Sequence, residues 1–168
     1  MDNCMQMFQA IDTDGNCYID CRELQSVLSN GTNNQFNIST IQLLVGLFGR
    51  NKNGTVTREE FPALFEHVSS WQQCFHRFDQ DGSKAINYNE FTQALTSFGY
   101  NLSPNLLNFL CHKFDKNKRQ NIEFDDFIRV GTILQILTQG FKNFDRMGNG
   151  NAEFKYEDFL MIAMSIAN

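Results

Sequence analysis

Apolar residues recur along this chain in five copies of one pattern: a pair placed four and one positions before a polar loop, then another just after it. The pairs are Phe8/Ile11, Val45/Phe48, Phe75/Phe78, Cys111/Phe114 and Phe141/Phe144, and the residues that follow the loops are Leu24, Phe61, Phe91, Phe127 and Phe159. A spacing of three puts both members of a pair on one helical face, so each loop is predicted to lie between two helices with its phenylalanines in the core. Loop starts at positions 12, 49, 79, 115 and 145 are separated by 37, 30, 36 and 30 residues. The two short intervals leave no room for two helices and a linker. Thr57 to Phe78 and Phe124 to Phe144 are therefore each predicted to be one continuous helix shared by successive repeats, with Pro62 tolerated near a helix start. The long intervals carry linker signals at 29–34 and 99–104, with Ser39 and Ser103 as predicted N-caps and Pro104 in the first helical position. Trp71, near the middle of the first long helix, reads as core, with the lining of an apolar groove as the alternative. The fold class that follows is all-α, with eight helices, two of them long and shared.

The loops carry the chemistry. A calcium ion takes six to eight hard oxygens, and a twelve-residue EF-hand loop supplies them from positions 1, 3, 5, 7, 9 and 12, with a bidentate carboxylate at the last. In the third loop these positions are Asp79, Asp81, Ser83, the Ala85 carbonyl, Asn87 and Glu90. In the first they are Asp12, Asp14, Asn16, the Tyr18 carbonyl, Asp20 and Glu23. Ca2+ is the expected cofactor at these two loops. Both depart from the usual pattern in the same way, with Cys17 and Lys84 at position 6 and Gly15 and Gly82 at position 4, which points to a shared backbone variant. A side chain held at positive φ costs roughly 1–2 kcal/mol. The second loop keeps Gly54, Val56 and Glu60 but has Gly49 where the first carboxylate belongs, so it is expected to be weak or empty. The fourth carries Lys116, Lys118 and Arg119 and closes on the shorter Asp126, which suits structural pairing. The fifth begins at Asp145, is extended before Glu157 and puts Met147 in a donor position, so uptake there is expected only at high calcium.

Composition narrows the classes. A net charge of −5 and a pI near 5.1 lack the basic footprint of a nucleic-acid binder. Five cysteines without metal-ligand spacing suit reduced thiols in a cytoplasmic protein. The N-terminal residues open no positively charged, apolar signal segment, and the apolar runs fall short of a bilayer span. His67, His76 and His112 lack a cysteine or carboxylate arrangement that makes a nucleophile or catalytic metal site, and no phosphate-binding glycine loop is present, so an enzyme is not expected.

Five such hands with two shared helices resemble the penta-EF-hand family. The resemblance covers nearly all 168 residues as a single domain, with hands at 1–30, 39–70, 71–98, 103–130 and 131–166. Its most specific stretch runs from Lys113 to Ile128, on through Leu134 to Thr138 and Phe144-Asp145, and the extended fifth loop ending at Tyr156 to Phe159 also fits. The resemblance implies calcium at hands one and three. It implies short β-bridges between paired loops, Ile19 with Val56 and Ile86 with Ile122. It further implies a homo- or heterodimer through the fifth hand, Ala152 opposite a partner's Ala152, and a protein or peptide target captured in the calcium-bound state. The function expected is that of a calcium sensor and adaptor. The alternatives are a calcium buffer or storage protein of granules and the regulatory subunit of a calpain-like protease. Cytoplasmic residence is expected, with granule or membrane association on calcium binding as a variant that no tail in this chain supports.

Overall fold

In a computed structural model the described residues are 2–29, 35–50, 53–115, 118 and 120–166. Among them eight helices follow the loop spacing. α1 (Asp2–Ile11) and α2 (Cys21–Ser29) flank the first loop, and α3 (Ile38–Phe48) and α4 (Phe61–Phe78) the second. α4 runs on into the third loop, which α5 (Tyr88–Ser97) leaves; α6 (Pro104–Phe114) and α7 (Phe124–Lys142) flank the fourth, and α7 leads to the fifth, left by α8 (Tyr156–Met164). The two long helices are thus each common to two hands. Within the described residues, no helix is long and apolar enough to cross a membrane.

Two short antiparallel bridges tie loops together. β1 (Tyr18–Ile19) pairs with β2 (Val56–Thr57), and β3 (Ala85–Asn87) with β4 (Asn121–Glu123). Ile19 stands opposite Val56 and Ile86 opposite Ile122, as expected. All four are buried, so each bridge is held by a β-branched pair as well as by backbone hydrogen bonds. Ala152 lies outside any strand among the described residues.

Two expectations, a helix start and an N-cap, need correction. The first shared helix begins at Phe61, not at Thr57, because Thr57 is extended in β2 opposite Tyr18 and residues 58–60 form a turn. Pro62 then falls in the first helical turn, where its missing N–H costs nothing. The N-cap of α3 is Asn37 rather than Ser39: the Asn37 side chain accepts from the Ser39 N–H at 3.0 Å. Ser39 instead receives Arg129 Nη1 from α7 at 2.7 Å, while the Asn37 N–H donates to Asp125 Oδ2 at 3.0 Å. Ser103 caps α6, with Pro104 in its first turn, as the pattern predicts. The second shared helix starts at Phe124 as expected and ends at Lys142, two residues short of Phe144. The linker at 30–34 and loop residues Lys116 and Arg119 lie outside the described residues.

The phenylalanine stripes of hands one to four do form the core. Phe8 meets Phe61 edge-on at 5.6 Å, Phe75 packs against Phe124 and Phe127 at 5.2 and 5.5 Å, and Phe91 closes on Phe127 at 6.3 Å. Trp71 also belongs to the core, at 4% exposure, and not to an open groove. Its indole occupies the space beside Gly131, where a β-carbon would sit 2.2 Å from Trp71 Cη2. Hand five departs from the pattern. Phe141 and Phe144 pack on Phe154, but Phe159 is 55% exposed and α8 buries no residue fully. Its attachment to α7 is close, since Ile162 rests on Gly140.

Candidate metal centre

Each of the first four loops starts where its incoming helix stops. The Asp12 N–H caps α1 by donating to the Phe8 carbonyl at 2.9 Å, and Asp79 does the same for α4 through Phe75. The side chain of this first residue then turns inward. Cys17 N–H donates to Asp12 Oδ2 at 3.0 Å and Lys84 N–H to Asp79 Oδ2 at 3.0 Å. Gln120 does so to Asp115 at 2.8 Å and Gly150 to Asp145 at 2.9 Å. To aim its N–H this way, position 6 takes positive φ: 67° at Cys17, 61° at Lys84, 59° at Gln120 and 79° at Gly150. Gly15 and Gly82 at position 4 share that region, but so do Lys118 and Gly148, so the backbone is common to loops one, three, four and five and is not a variant of the first and third. Cys17 and Lys84 are therefore held in a conformation that glycine would adopt without strain.

The closing glutamate is fixed from both sides. Thr13 N–H donates to Glu23 Oε1 at 2.8 Å and Asp20 N–H to Glu23 Oε2 at 3.1 Å. In the third loop Gln80 and Asn87 hold the two oxygens of Glu90 at 3.1 and 3.0 Å. In the second, Arg50 and Thr57 hold Glu60 at 2.9 and 3.0 Å. These N–H donors, the Thr57 amide foremost, keep the Glu60 carboxyl below its ordinary range. The backbone N–H groups of positions 2 and 9 were invisible in the residue pattern, because any residue except proline supplies them.

The result is two convergent carboxylate sets. One ligand oxygen from each of Asp12, Asp14 and Glu23 lies within 4.8 Å of the others, and the same holds for Asp79, Asp81 and Glu90. Ser83 joins the second set: its hydroxyl oxygen lies 2.9 Å from the Ala85 carbonyl oxygen and 3.4 Å from Asp79 Oδ1, so its single proton has several acceptors within reach. That hydroxyl and the Ser83 N–H hold the Asp81 carboxyl below its usual range. Asn16 stands beside Asp14, its Nδ2 donating to Asp14 Oδ2 at 2.8 Å while its Oδ1 accepts the Tyr18 N–H at 2.7 Å. Tyr18 and Ala85 both sit at strand positions of the bridges. Position 9 is different. Asp20 Oδ1 accepts from Arg22 and Glu23 N–H, and Asn87 Oδ1 from Asn89 and Glu90 N–H, so both side chains cap the outgoing helix. The donor set is all hard oxygen with several carboxylates, which suits calcium and not a soft-ligand metal.

The other loops lack such a set among the described residues. In the second, a β-carbon on Gly49 would lie 2.4 Å from the Thr55 carbonyl oxygen. The carbonyl of position 7 has moved in where a position-1 side chain would stand. In the fourth, Asp126 is buried and its neighbour Asp125 is turned to Asn37. In the fifth, Met147 is 87% exposed and brings no oxygen.

Comparison with known proteins agrees with this geometry. Residues 1–66 and 68–130 each match the family model of the EF-hand domain pair. The chain is 45% identical over 160 residues to sorcin of Schistosoma japonicum, covering 95% of this chain and 93% of that one. It is 37% identical over 161 residues to peflin of Danio rerio, of which it spans 60%. A solved structure described as a homologue of programmed cell death 6 protein from Leishmania major Friedlin superposes with a TM-score of 0.82. It is 30% identical and covers 97% of this chain and 93% of its own.

Proposed function

The chain belongs to the penta-EF-hand family and is a calcium-binding protein rather than an enzyme, and from that premise we propose that hands one and three are its calcium switches. Asp12, Asp14, Asn16, the Tyr18 carbonyl and Glu23 ligate in hand one; Asp79, Asp81, Ser83, the Ala85 carbonyl and Glu90 ligate in hand three. The carrying observation is that only these two loops, among the described residues, bring three carboxylates within 4.8 Å of one another. Each glutamate opens its outgoing helix, so drawing the carboxylate onto an ion pulls on α2 or α5. That motion uncovers apolar surface for a protein or peptide target.

The test is a calorimetric calcium titration of the intact chain in millimolar magnesium, repeated on Asp12→Ala and Asp79→Ala. Sensor hands bind within roughly 10⁻⁷–10⁻⁵ M. Two sites in that range, each lost with its own substitution, are expected. Heat appearing only at millimolar calcium refutes the switch. A hydrophobic dye that gains no fluorescence with calcium would leave a buffer in its place.

The fifth hand supports a dimer within the same proposal. Tyr156, Leu160 and Met164, at i, i+4 and i+8, leave one side of α8 apolar and 73%, 38% and 65% exposed, with Phe159 flanking them at 55%, and among the described residues the loop of this hand pairs with no other. Sedimentation should show a dimer that Phe159→Asp splits; a wild-type monomer at high micromolar concentration rules it out. Cytoplasmic residence, carried by five free thiols, is the remaining part of the reading, and cell fractionation tests it.

A further inference from the structure

The carboxylate of Glu23 has a partner that its counterpart in hand three lacks. The Thr13 N–H donates to Glu23 Oε1 at 2.8 Å, and the Thr13 hydroxyl donates to the same oxygen at 2.9 Å. Position 2 of hand three is Gln80, where the backbone N–H alone holds Glu90 Oε1, at 3.1 Å. The two Thr13 donors are separated only by Cα and Cβ, so they reach Oε1 from one side. A cation held among Asp12, Asp14 and Glu23, whose ligand oxygens lie within 4.8 Å of one another, would meet a Glu23 carboxylate already fixed in place. Asp20 N–H fixes the second oxygen at 3.1 Å.

We propose that Thr13 is a positioning residue for Glu23, fixing it in the orientation that offers both oxygens to one ion, and that it thereby biases hand one toward calcium over magnesium. The inference rests on the reading of hand one as a calcium site. Calcium accepts both oxygens of one carboxylate in a shell of six to eight at 2.3–2.6 Å, whereas magnesium demands an octahedron at about 2.0–2.1 Å and takes one oxygen from such a group. A glutamate held by a single N–H on Oε1 can swing to present one oxygen. Held by an N–H and a hydroxyl, it resists that swing. The hydroxyl therefore helps the larger ion and does nothing for the smaller.

The test uses the full chain carrying Asp79→Ala, so that hand one is read alone, with Thr13→Val and Thr13→Ser added separately. Chelator-treated protein is titrated calorimetrically with calcium chloride and with magnesium chloride. Thr13 is exposed and valine matches its shape, so the fold is undisturbed, and melting in chelator verifies this. Loss of the hydroxyl should weaken calcium about five-fold, the effect of one hydrogen bond, and leave magnesium within about two-fold; Thr13→Ser should restore the parent ratio. Calcium binding that is unchanged or tighter in Thr13→Val, or calcium and magnesium weakened alike, overturns the proposal. No calcium uptake by the Asp79→Ala parent overturns it together with the assignment of hand one, a result distinct from uptake with an unaltered ratio.

Discussion

Gly131→Ala should destabilise this protein although it replaces glycine by the best helix former in the middle of a 19-residue helix. On propensity alone the change would stabilise by about 1 kcal/mol. The new methyl carbon, however, would stand 2.2, 2.3 and 2.6 Å from Cη2, Cζ2 and Cζ3 of Trp71. Ordinary carbon contacts lie at about 3.5–4.0 Å, so the indole has to retreat by more than an ångström. It has nowhere to go: Phe98 stacks on it at 4.3 Å, Phe127 meets it edge-on at 5.4 Å and His67 lies at 6.2 Å. Overpacking of this kind costs about 1–3 kcal/mol, and occasionally more, which outweighs propensity at the middle of that range. A net loss of about 1 kcal/mol lowers the melting temperature of a chain this size by roughly 2–4 °C. Calorimetric melting in chelator reads the shift directly. Trp71→Leu added to Gly131→Ala should cost less than the two losses summed, because the smaller side chain removes the clash. A Gly131→Ala variant that melts higher than wild type would refute the contact between the two long helices.

Two further outcomes follow from the loops and the core. Gly49→Asp should fail to create a third calcium site and should lower stability, because the Thr55 carbonyl stands 2.4 Å from the required β-carbon; an added stoichiometric site in calorimetry would show that the second loop opens freely. His67, held neutral by burial with a pKa near 4 and within 3.2 Å of the Thr132 hydroxyl, should make stability fall with acid. The folded pKa lies below the unfolded value of about 6.5, so the unfolded chain binds more protons and stability is lost as pH drops from about 6.5 to 4. With its residual exposure discounted, the term is about 1–2 kcal/mol, and His67→Gln should remove it from the difference between urea midpoints at pH 7 and pH 4.5. Equal acid losses in both proteins would place the His67 ring in water.

Much of this architecture was legible because covalent spacing dictates it. A loop that closes on an ion needs its donors at fixed offsets, so Asp12, Asp14 and Glu23 announce themselves as plainly as Asp79, Asp81 and Glu90. Helix sharing followed from interval lengths alone. What stayed hidden depended on partners distant in the chain. Thr57 fits a helical start until Tyr18 claims it for a strand, and Ser39 fits a cap until Arg129 arrives from α7. Asp20 and Asn87 carry ligand oxygens at a ligand position, yet nearby backbone N–H groups take them as caps. Thr13 escaped notice because position 2 of such a loop has no prescribed chemistry. Phe159 fits the core stripe by spacing, but among the described residues it stays 55% exposed.

The shared helices make the hands a gear train. α4, at 18 residues, is a rod of about 27 Å, with the Glu60 carboxylate at its head and Asp79 at its foot. A rod has one tilt. Turning its head by about 10° sweeps its foot through roughly 5 Å, so the second hand, though it lacks a carboxylate of its own at Gly49, cannot stay still while the third one moves. The Trp71 contact with Gly131 meshes this rod with α7, which spans the fourth and fifth hands in the same way. A loop short of carboxylates thus keeps a mechanical office, as the bearing for any tilt of the helix it shares with its neighbour.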